Sequence, residues 1–226
     1  MENHVLDSAM PSIIEHWRQQ SARMTAAAIA TITWADEVTI QVADVNPPAV
    51  PPLPDVLLQA AVVCFGEKVQ EGQLIEGVAI PWFEIIRHLD RDPSFLFKIP
   101  WRKLEELIAG AYEREGWPEV VLTPPSGDGG RDVIATRPGL GSIRIVDQVK
   151  AYSPGHLVTA DEVRSMLGVL QQDLNVSKGL VTTTSGFAPR IAEDDRLKAF
   201  MPYRLELRGG VDLRNWLIDL TKKKSE

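Results

Sequence analysis

The sequence predicts an α/β protein in which helices flank a mixed central sheet, preceded by an N-terminal α+β accessory region. Three observations indicate this class: an amphipathic helix over residues 101–116, three strand-like segments between residues 119 and 152, and a capped helix that follows residue 159. With the later segments they give the order α-β-β-β-α-β-α-β-α, which is typical of a sheet covered by helices.

The helix at residues 101–116 is predicted from apolar residues at helical spacing, and Gly116 ends it. The strands are EVVLTPP, RDVIATRP and SIRIVDQVKAY, separated by the turns SGDGG and PGLG. A capping box of Thr159 and Glu162 opens the next helix. The remaining elements are a strand at KGLVTTT, a helix at SGFAPRIAEDDRLKAF, a strand at YRLELR and a helix at VDLRNWLIDL.

The first 98 residues form the predicted accessory region, with a domain boundary near residue 98. Residues 1–100 carry 6 Lys and Arg against 13 Asp and Glu, whereas residues 101–226 carry 18 of each. A helix early in residues 12–30 and two strands before residue 46 precede NPPAVPPLP, an extended connector. The segment DVLLQAAVVCFGEK is apolar enough for a buried helix or strand, and PWFEIIRHL predicts a short helix opened by a proline.

Composition excludes several classes of protein. The chain has 226 residues and a net charge of -7, which argues against a general binder of polyanions. It lacks an apolar run of membrane-spanning length and a signal peptide at its start, so we expect a cytoplasmic protein that does not enter the membrane. The single cysteine, Cys64, has apolar neighbours and is expected to be a buried thiol.

The third strand ends in polar residues on one face. Because side chains alternate along a strand, Gln148 and Lys150 share a face, about 6.6 Å apart along the strand, while Asp147 lies on the other face with the isoleucines. Asp132 begins the neighbouring strand after a glycine-rich turn, and an antiparallel pairing could bring it beside Gln148. Glu105, on the helix at residues 101–116, could add a second acid there. Carboxylate and amide oxygens are ligands for Mg²⁺, and a nearby ammonium can stabilise charge on a phosphate.

Four segments in this order resemble the Mrr-like restriction endonucleases of the PD-(D/E)xK nuclease superfamily: KLEELIAGAYEREGW, SGDGGRDV, QVK and GLVTTTSGF. The resemblance covers residues 101 to about 208 and implies a restriction endonuclease-like α-β-β-β-α-β core. It implies that Glu105 is the helix acid, Asp132 the principal metal ligand and Lys150 the catalytic lysine. Gln148 stands where many relatives have an acid, and the Mrr-like branch characteristically uses this amide.

The resemblance further implies hydrolysis of DNA phosphodiester bonds with Mg²⁺, or Mn²⁺ as the alternative ion, in restriction or defence against foreign DNA. Double-stranded DNA is then the substrate, a homodimer is expected for cutting both strands, and the N-terminal region could bind a protein partner or gate the nuclease. Arg131, Thr184, Ser185 and His156 are the candidate DNA contacts.

Other interpretations of the same residues stay open. Asp132 and Lys150 could form a salt bridge at a strand end, with Gln148 satisfying a backbone group. Asp128 could be a metal ligand, or it could act only as an Asx-type turn former. Thr183 to Ser185 could cap the following helix, and His156 could be solvated. The alternative function is a catalytically weak or inactive module that binds DNA or protein on a nuclease scaffold.

Overall fold

The computed structural model of the protein describes residues 53–126 and 129–222. Their centre is one sheet of seven strands that lie side by side in chain order. The strands are β1 (Val63–Val69), β2 (Gly72–Val78), β3 (Glu119–Leu122), β4 (Val133–Arg137), β5 (Ile143–Lys150), β6 (Lys178–Thr183) and β7 (Leu205–Arg208). Neighbours from β1 to β5 pair antiparallel, whereas β5, β6 and β7 pair parallel. The predicted mixed sheet is confirmed.

Helices cover both faces of the sheet. They are α1 (Leu53–Gln59), α2 (Ile80–Arg91), α3 (Trp101–Arg114), α4 (Ala160–Gln172), α5 (Asp195–Lys198) and α6 (Gly210–Lys222). One buried cluster joins α2, α3 and α6 to the sheet, and a second joins α4 and α5 to the opposite face. The alternation in β3 divides its residues between the two, since Val120 belongs to the first cluster and Val121 to the second. Both faces of the central strands are therefore core, which explains their near-continuous apolar sequences.

The two helices that border the candidate site form where the sequence predicts them. Apolar spacing in α3 buries Leu104, Leu107 and Ile108 completely against the sheet. Gly116 follows α3 with φ of +92°, a left-handed conformation that glycine adopts readily. The predicted capping box opens α4, because the Thr159 hydroxyl accepts from the Glu162 amide while the Glu162 carboxylate accepts from the Thr159 amide. Such caps stabilise a helix by about 1 kcal/mol.

The predicted helix over SGFAPRIAEDDRLKAF is wrong. Residues 185–190 are instead extended or turned, and they are followed by a 3₁₀ helix at Ile191–Glu193 and the four-residue α5. The Ala188 amide donates to the Val158 carbonyl at 2.8 Å, so this segment bonds sideways to another part of the chain. Pro189 lacks an amide hydrogen, and Arg190 has φ of +66°; both interrupt helical hydrogen bonding.

The front of the described chain belongs to the same sheet. The segment DVLLQAAVVCFGEK, predicted as a helix or a strand, contains both, because α1 is followed by β1. The segment PWFEIIRHL forms most of α2, as predicted. The strand β2 was not predicted; it pairs with β3 and carries the sheet across the expected boundary at residue 98. The described residues from 53 onward belong to one compact unit, so that boundary lies inside it.

Two expectations about the front of the chain have different outcomes. Cys64 is exposed, so the predicted buried thiol is wrong. The early helix, the first two predicted strands and the proline-rich connector lie outside the described residues. Among the helices that the structure describes, none is both long and apolar enough to cross a membrane.

Candidate active site

The end of β5 carries the predicted polar pair. Ile145 and Val149 pack into the cluster under α3, while Val146 packs into the cluster under α4. Gln148 follows Val146 by two residues and is buried on the α4 side, where its Oε1 lies 3.5 Å from the Ser165 hydroxyl. Lys150, two residues further, is half-buried on the same side. The alternation thus brings the amide and the amine against the first half of α4.

Asp132 is tied directly to this strand. β4 pairs with β5 so that Val133 lies opposite Asp147, which places the preceding Asp132 beside the end of β5. The Asp132 carboxylate Oδ2 accepts a hydrogen bond from the Val149 amide at 2.6 Å, and its own amide donates to the Asp147 carbonyl at 3.1 Å. The carboxylate is therefore held at the backbone between Gln148 and Lys150.

The glycine-rich turn before Asp132 lets the chain approach Gln148 closely. Gly130 has φ of +80°, and a Cβ at this position would lie 2.9 Å from the Gln148 Nε2. A side chain here would therefore be strained and would displace the amide. Gly127 lies outside the described residues, as does Asp128, the candidate turn former or metal ligand.

Glu105 is linked to the segment that carries Asp132 by hydrogen bonds of Arg102. It is only 5% exposed on α3, and its Oε2 accepts from the Arg102 Nη1 at 2.8 Å. The same Arg102 nitrogen donates to the Thr123 carbonyl at 2.9 Å, and the Thr123 amide donates to the Asp132 carbonyl at 3.1 Å. Arg102 thus connects the helix acid to the segment that carries Asp132. Sequence reasoning missed Arg102, although its place one helical turn before Glu105 is a signal for such a pair.

A second set of polar groups lies beyond Lys150 on the same face. The Tyr152 hydroxyl donates to the Glu162 carboxylate. Burial, followed by this hydrogen bond and the negative charge of Glu162, raises the pKa of Tyr152 to about 12. Burial alone would raise the pKa of Glu162, but hydrogen bonds from Tyr152 and Thr159, with the charge of Lys150, lower that pKa to about 2. Glu162 is therefore an anion that faces the Lys150 ammonium at neutral pH.

The candidate DNA contacts differ in how accessible they are. His156 is exposed and stacks on the Tyr152 ring, with ring centroids 4.1 Å apart and planes 10° apart. Ser185 is partly exposed, but a helix does not follow it, so it caps none. Arg131 is partly exposed and its Nη1 lies 3.5 Å from the Asp173 carboxylate.

Thr184 is enclosed by the chain. Its hydroxyl donates to the Tyr152 carbonyl at 2.7 Å and accepts from the Tyr152 amide at 2.8 Å. Only 2% of Thr184 is exposed. Its hydroxyl therefore joins the ends of β5 and β6 and leaves no surface for a phosphate.

The donor atoms can be compared with the needs of a divalent cation. In the part of the chain that the structure describes, no three or more His, Cys, Asp or Glu side chains form a cluster able to hold a metal alone. Mg²⁺ rarely needs such a cluster, because it usually keeps several waters and binds one or two carboxylates plus substrate phosphates. The Asp132 carboxylate and the Gln148 amide oxygen, with Glu105 on the adjoining helix, are oxygen donors of the right chemistry. The residues present thus fit a hydrated Mg²⁺ ion.

A mixed sheet with an acid before β4, a Gln-x-Lys end on β5 and a buried helix acid defines the class of the PD-(D/E)xK nucleases. The chain belongs to the restriction endonuclease family: residues 96–217, more than half of the chain, match the Mrr-type catalytic domain. The resemblance noted from the sequence is thereby confirmed.

The individual proteins to which this chain is similar share 20% to 29% sequence identity with it. An uncharacterized protein, y4cE, of Sinorhizobium fredii (strain NBRC 101917 / NGR234) is 29% identical over 110 residues, which are 48% of this chain and 28% of that protein. The DNA modification-dependent restriction endonuclease AspBHI matches with 22% identity and a TM-score of 0.39, over 62% of this chain and 35% of its own. MspJI restriction endonuclease, solved with a 27-mer oligonucleotide, matches with 20% identity and a TM-score of 0.37, over 60% and 30%. The chain therefore spans about a third or less of each.

Proposed function

We propose that this chain is a Mg²⁺-dependent DNA endonuclease that hydrolyses phosphodiester bonds and acts in restriction or defence against foreign DNA. One observation carries the proposal: the Asp132 carboxylate is hydrogen-bonded at 2.6 Å to the Val149 amide, between Gln148 and Lys150. This bond, at the end of β5 that carries Gln148 and Lys150, supports the proposal in a chain of the restriction endonuclease family.

Each site residue has a role in this proposal. Asp132 and Gln148 would hold Mg²⁺, or Mn²⁺ in its place, with Glu105 as the further acid. The ion would polarise the scissile phosphate and lower the pKa of water. Lys150, on the same face as Gln148, would orient the attacking water and stabilise the charge that grows on the phosphate. Arg102 would hold Glu105 in place, since it already bonds Oε2 at 2.8 Å.

The substrate proposed is double-stranded DNA, contacted by Arg131, Ser185 and His156, the candidates that keep some exposed surface. The restriction endonuclease family to which the chain belongs supports this choice. Because one such site cuts one strand, a homodimer would cut both. An accessory role of the N-terminal region, including a protein partner, and a cytoplasmic location stay part of the proposal.

Plasmid cleavage tests the proposal directly. Purified protein is incubated with methylated and unmethylated supercoiled plasmid in Mg²⁺, Mn²⁺ or EDTA. We expect nicked or linear products with either metal and none with EDTA. Asp132→Asn should lower the rate by about 100-fold or more, because an amide binds a divalent cation less strongly than a carboxylate does.

Asp219→Asn is the matched control, since the Asp219 side chain is 69% exposed on α6 and pairs with the nearby Lys222. It should cleave like the wild type. Cleavage by Asp132→Asn at the wild-type rate would overturn the proposal. DNA binding that ignores divalent metal, without cleavage, would identify a binding module.

A further inference from the structure

Asp147 is a buried carboxylate for which the proposed chemistry has no use. It is 0% exposed on β5, on the face opposite Gln148 and Lys150. Removing a carboxylate from water is costly unless charge and hydrogen bonds compensate it. Burial accordingly raises the pKa of Asp147, while Arg208, Thr182 and Tyr112 oppose that rise.

Three side chains surround this carboxylate, and we call the set the Asp147 network: Asp147, Tyr112, Thr182 and Arg208. The Tyr112 hydroxyl and the Thr182 hydroxyl each donate to Asp147 Oδ2 at 2.9 Å. The Arg208 Nη1 lies 3.9 Å from the same oxygen. Because these residues come from α3, β6 and β7, one carboxyl oxygen joins three elements to β5.

The network is connected to the candidate site on both sides. Asp147 directly precedes Gln148, and its carbonyl accepts the Asp132 amide at 3.1 Å. Tyr112 lies two helical turns after Glu105 on α3, so the bond from its hydroxyl fixes the helix that carries the helix acid. Thr182 lies on β6, which carries none of the four proposed catalytic residues.

We propose that Asp147 and Tyr112 are positioning residues, which hold α3 against β5 so that Glu105 keeps its place relative to Asp132, Gln148 and Lys150. This inference rests on the proposed function, because it names what sets the geometry of the same site. Stability alone is a weak reason to keep such a group, since buried ion pairs can often be replaced by apolar residues without loss. Catalysis, by contrast, is sensitive to displacements of about 1 Å.

Two substitutions separate positioning from stability. Tyr112→Phe and Thr182→Val each remove one hydroxyl that donates at 2.9 Å to the same buried oxygen, with little change of shape. Only Tyr112 connects Asp147 to α3. We expect Tyr112→Phe to lower kcat for plasmid cleavage about tenfold with KM unchanged, and Thr182→Val to change kcat less than about twofold. Both variants should show similar decreases in melting temperature.

Metal binding without DNA gives a second measurement. Mn²⁺ affinity, measured by electron paramagnetic resonance on the full chain, should fall several-fold in Tyr112→Phe and not in Thr182→Val. Equal kcat and equal Mn²⁺ affinity in the two variants would overturn the positioning role while leaving the nuclease proposal intact. A wild type that binds Mn²⁺ but cuts no DNA would overturn the nuclease proposal alone, and the Mn²⁺ affinities would then decide the positioning role. A wild type that neither cuts DNA nor binds Mn²⁺ would overturn both.

Discussion

The two faces of β5 use their polar residues in opposite ways. On the α3 face, Asp147 is completely buried, and hydroxyls from α3 and β6 satisfy one of its oxygens. On the α4 face, Gln148 is nearly buried with its Oε1 3.5 Å from the Ser165 hydroxyl, and Lys150 is partly exposed. The protein thus encloses the polar residue on the α3 face of β5, which we call the closed face. The α4 face, which we call the open face, keeps polar groups within reach of solvent.

The difference follows from what covers each face. The α3 face is covered along β5 by α3 and α6, so a polar group there must find its partners inside the protein. On the α4 face, the backbone of Gly130 lies so close to Gln148 that a side chain there would displace the amide. Adjacent residues of one strand can therefore serve architecture and chemistry separately.

Loss of the Lys150 amine should have the largest effect, and it acts on the open face. Lys150→Ala should lower the rate of plasmid cleavage by about 1,000-fold, because the charge on the phosphate is then not stabilised. Lys178→Ala is the control, since Lys178 lies at the other end of the parallel strand pair and binds Glu206 at 2.8 Å. Equal losses in the two variants would contradict a special role for the open face. The rates are measured at saturating Mg²⁺ with circular dichroism as a check on folding.

Breaking the closed face should cost stability in a pH-dependent way. Arg208→Met removes the cation 3.9 Å from Asp147 and should lower the free energy of unfolding by about 2 kcal/mol at pH 7. Burial already raises the pKa of Asp147 above its ordinary value, and this variant should raise it further. When the pKa of a carboxyl group is higher in the folded state than in the unfolded state, ionisation of that group lowers the free energy of unfolding at high pH. This loss disappears as the pH falls toward 4, where the group is protonated in both states.

Urea unfolding of wild type and Arg208→Met from pH 7 to pH 4 measures this effect. The difference between the two proteins should shrink as the pH falls. A difference that stays constant would show that lost packing of Arg208 on Trp216, 4.0 Å from the ring centroid, dominates instead.

Replacing the Gln148 amide on the open face with a carboxylate should increase the affinity of the site for Mg²⁺. Gln148→Glu adds a second acid beside Asp132, so the Mg²⁺ concentration for half-maximal cleavage should fall about threefold to tenfold. Gln172→Glu makes the same charge change on the exposed end of α4 and should leave that concentration unchanged. A Mg²⁺ titration of the cleavage rate compares them, and an unchanged value in Gln148→Glu would remove this residue from the proposed ligands.

The smallest expected effect concerns Glu162, which borders the open face. Its pKa is lowered from 4.5 to about 2, so the stability it supplies is complete above pH 4.5 and is lost as the pH falls toward 2. Glu162→Gln keeps a capping-box side chain but loses the charge, and should cost about 0.5 to 1 kcal/mol at pH 7 because solvent screens the site. Acid unfolding curves should converge near pH 2. The control is Asp161→Asn, in the same helical turn but with a side chain 88% exposed.

Local sequence patterns predicted the helices and strands well where the conformational preferences of neighbouring residues are enough to decide the structure. The alternation in β5 separated Asp147 from Gln148 and Lys150, and the Thr159 box marked the start of α4. The helix at residues 185–200 failed because lateral hydrogen bonds to Val158 outweighed its helical spacing. β2 was missed because GQLIEGV is short and contains two glycines, and its strand form comes from pairing with β1 and β3.

The catalytic roles assigned to Glu105, Asp132, Gln148 and Lys150 stay predictions. Their positions also depend partly on local patterns and partly on contacts between distant parts of the chain. Alternation along one strand is enough to put Gln148 and Lys150 together. The bond from the Val149 amide to Asp132 depends on strand register, and the links from Arg102 to Thr123 and from Tyr112 to Asp147 join distant parts of the chain. Such links have no local periodicity to indicate them.

The sequence by itself determined the elements from α3 to β6, the family and the side-chain face of each residue on β5, because propensity and alternation act over a few neighbouring residues. Only the tertiary structure decided that Cys64 is exposed, that Thr184 is enclosed and that Asp147 Oδ2 accepts hydrogen bonds from Tyr112 and Thr182 on two other elements. Burial and hydrogen-bond partners depend on which elements pack together, and that packing is a property of the whole folded chain.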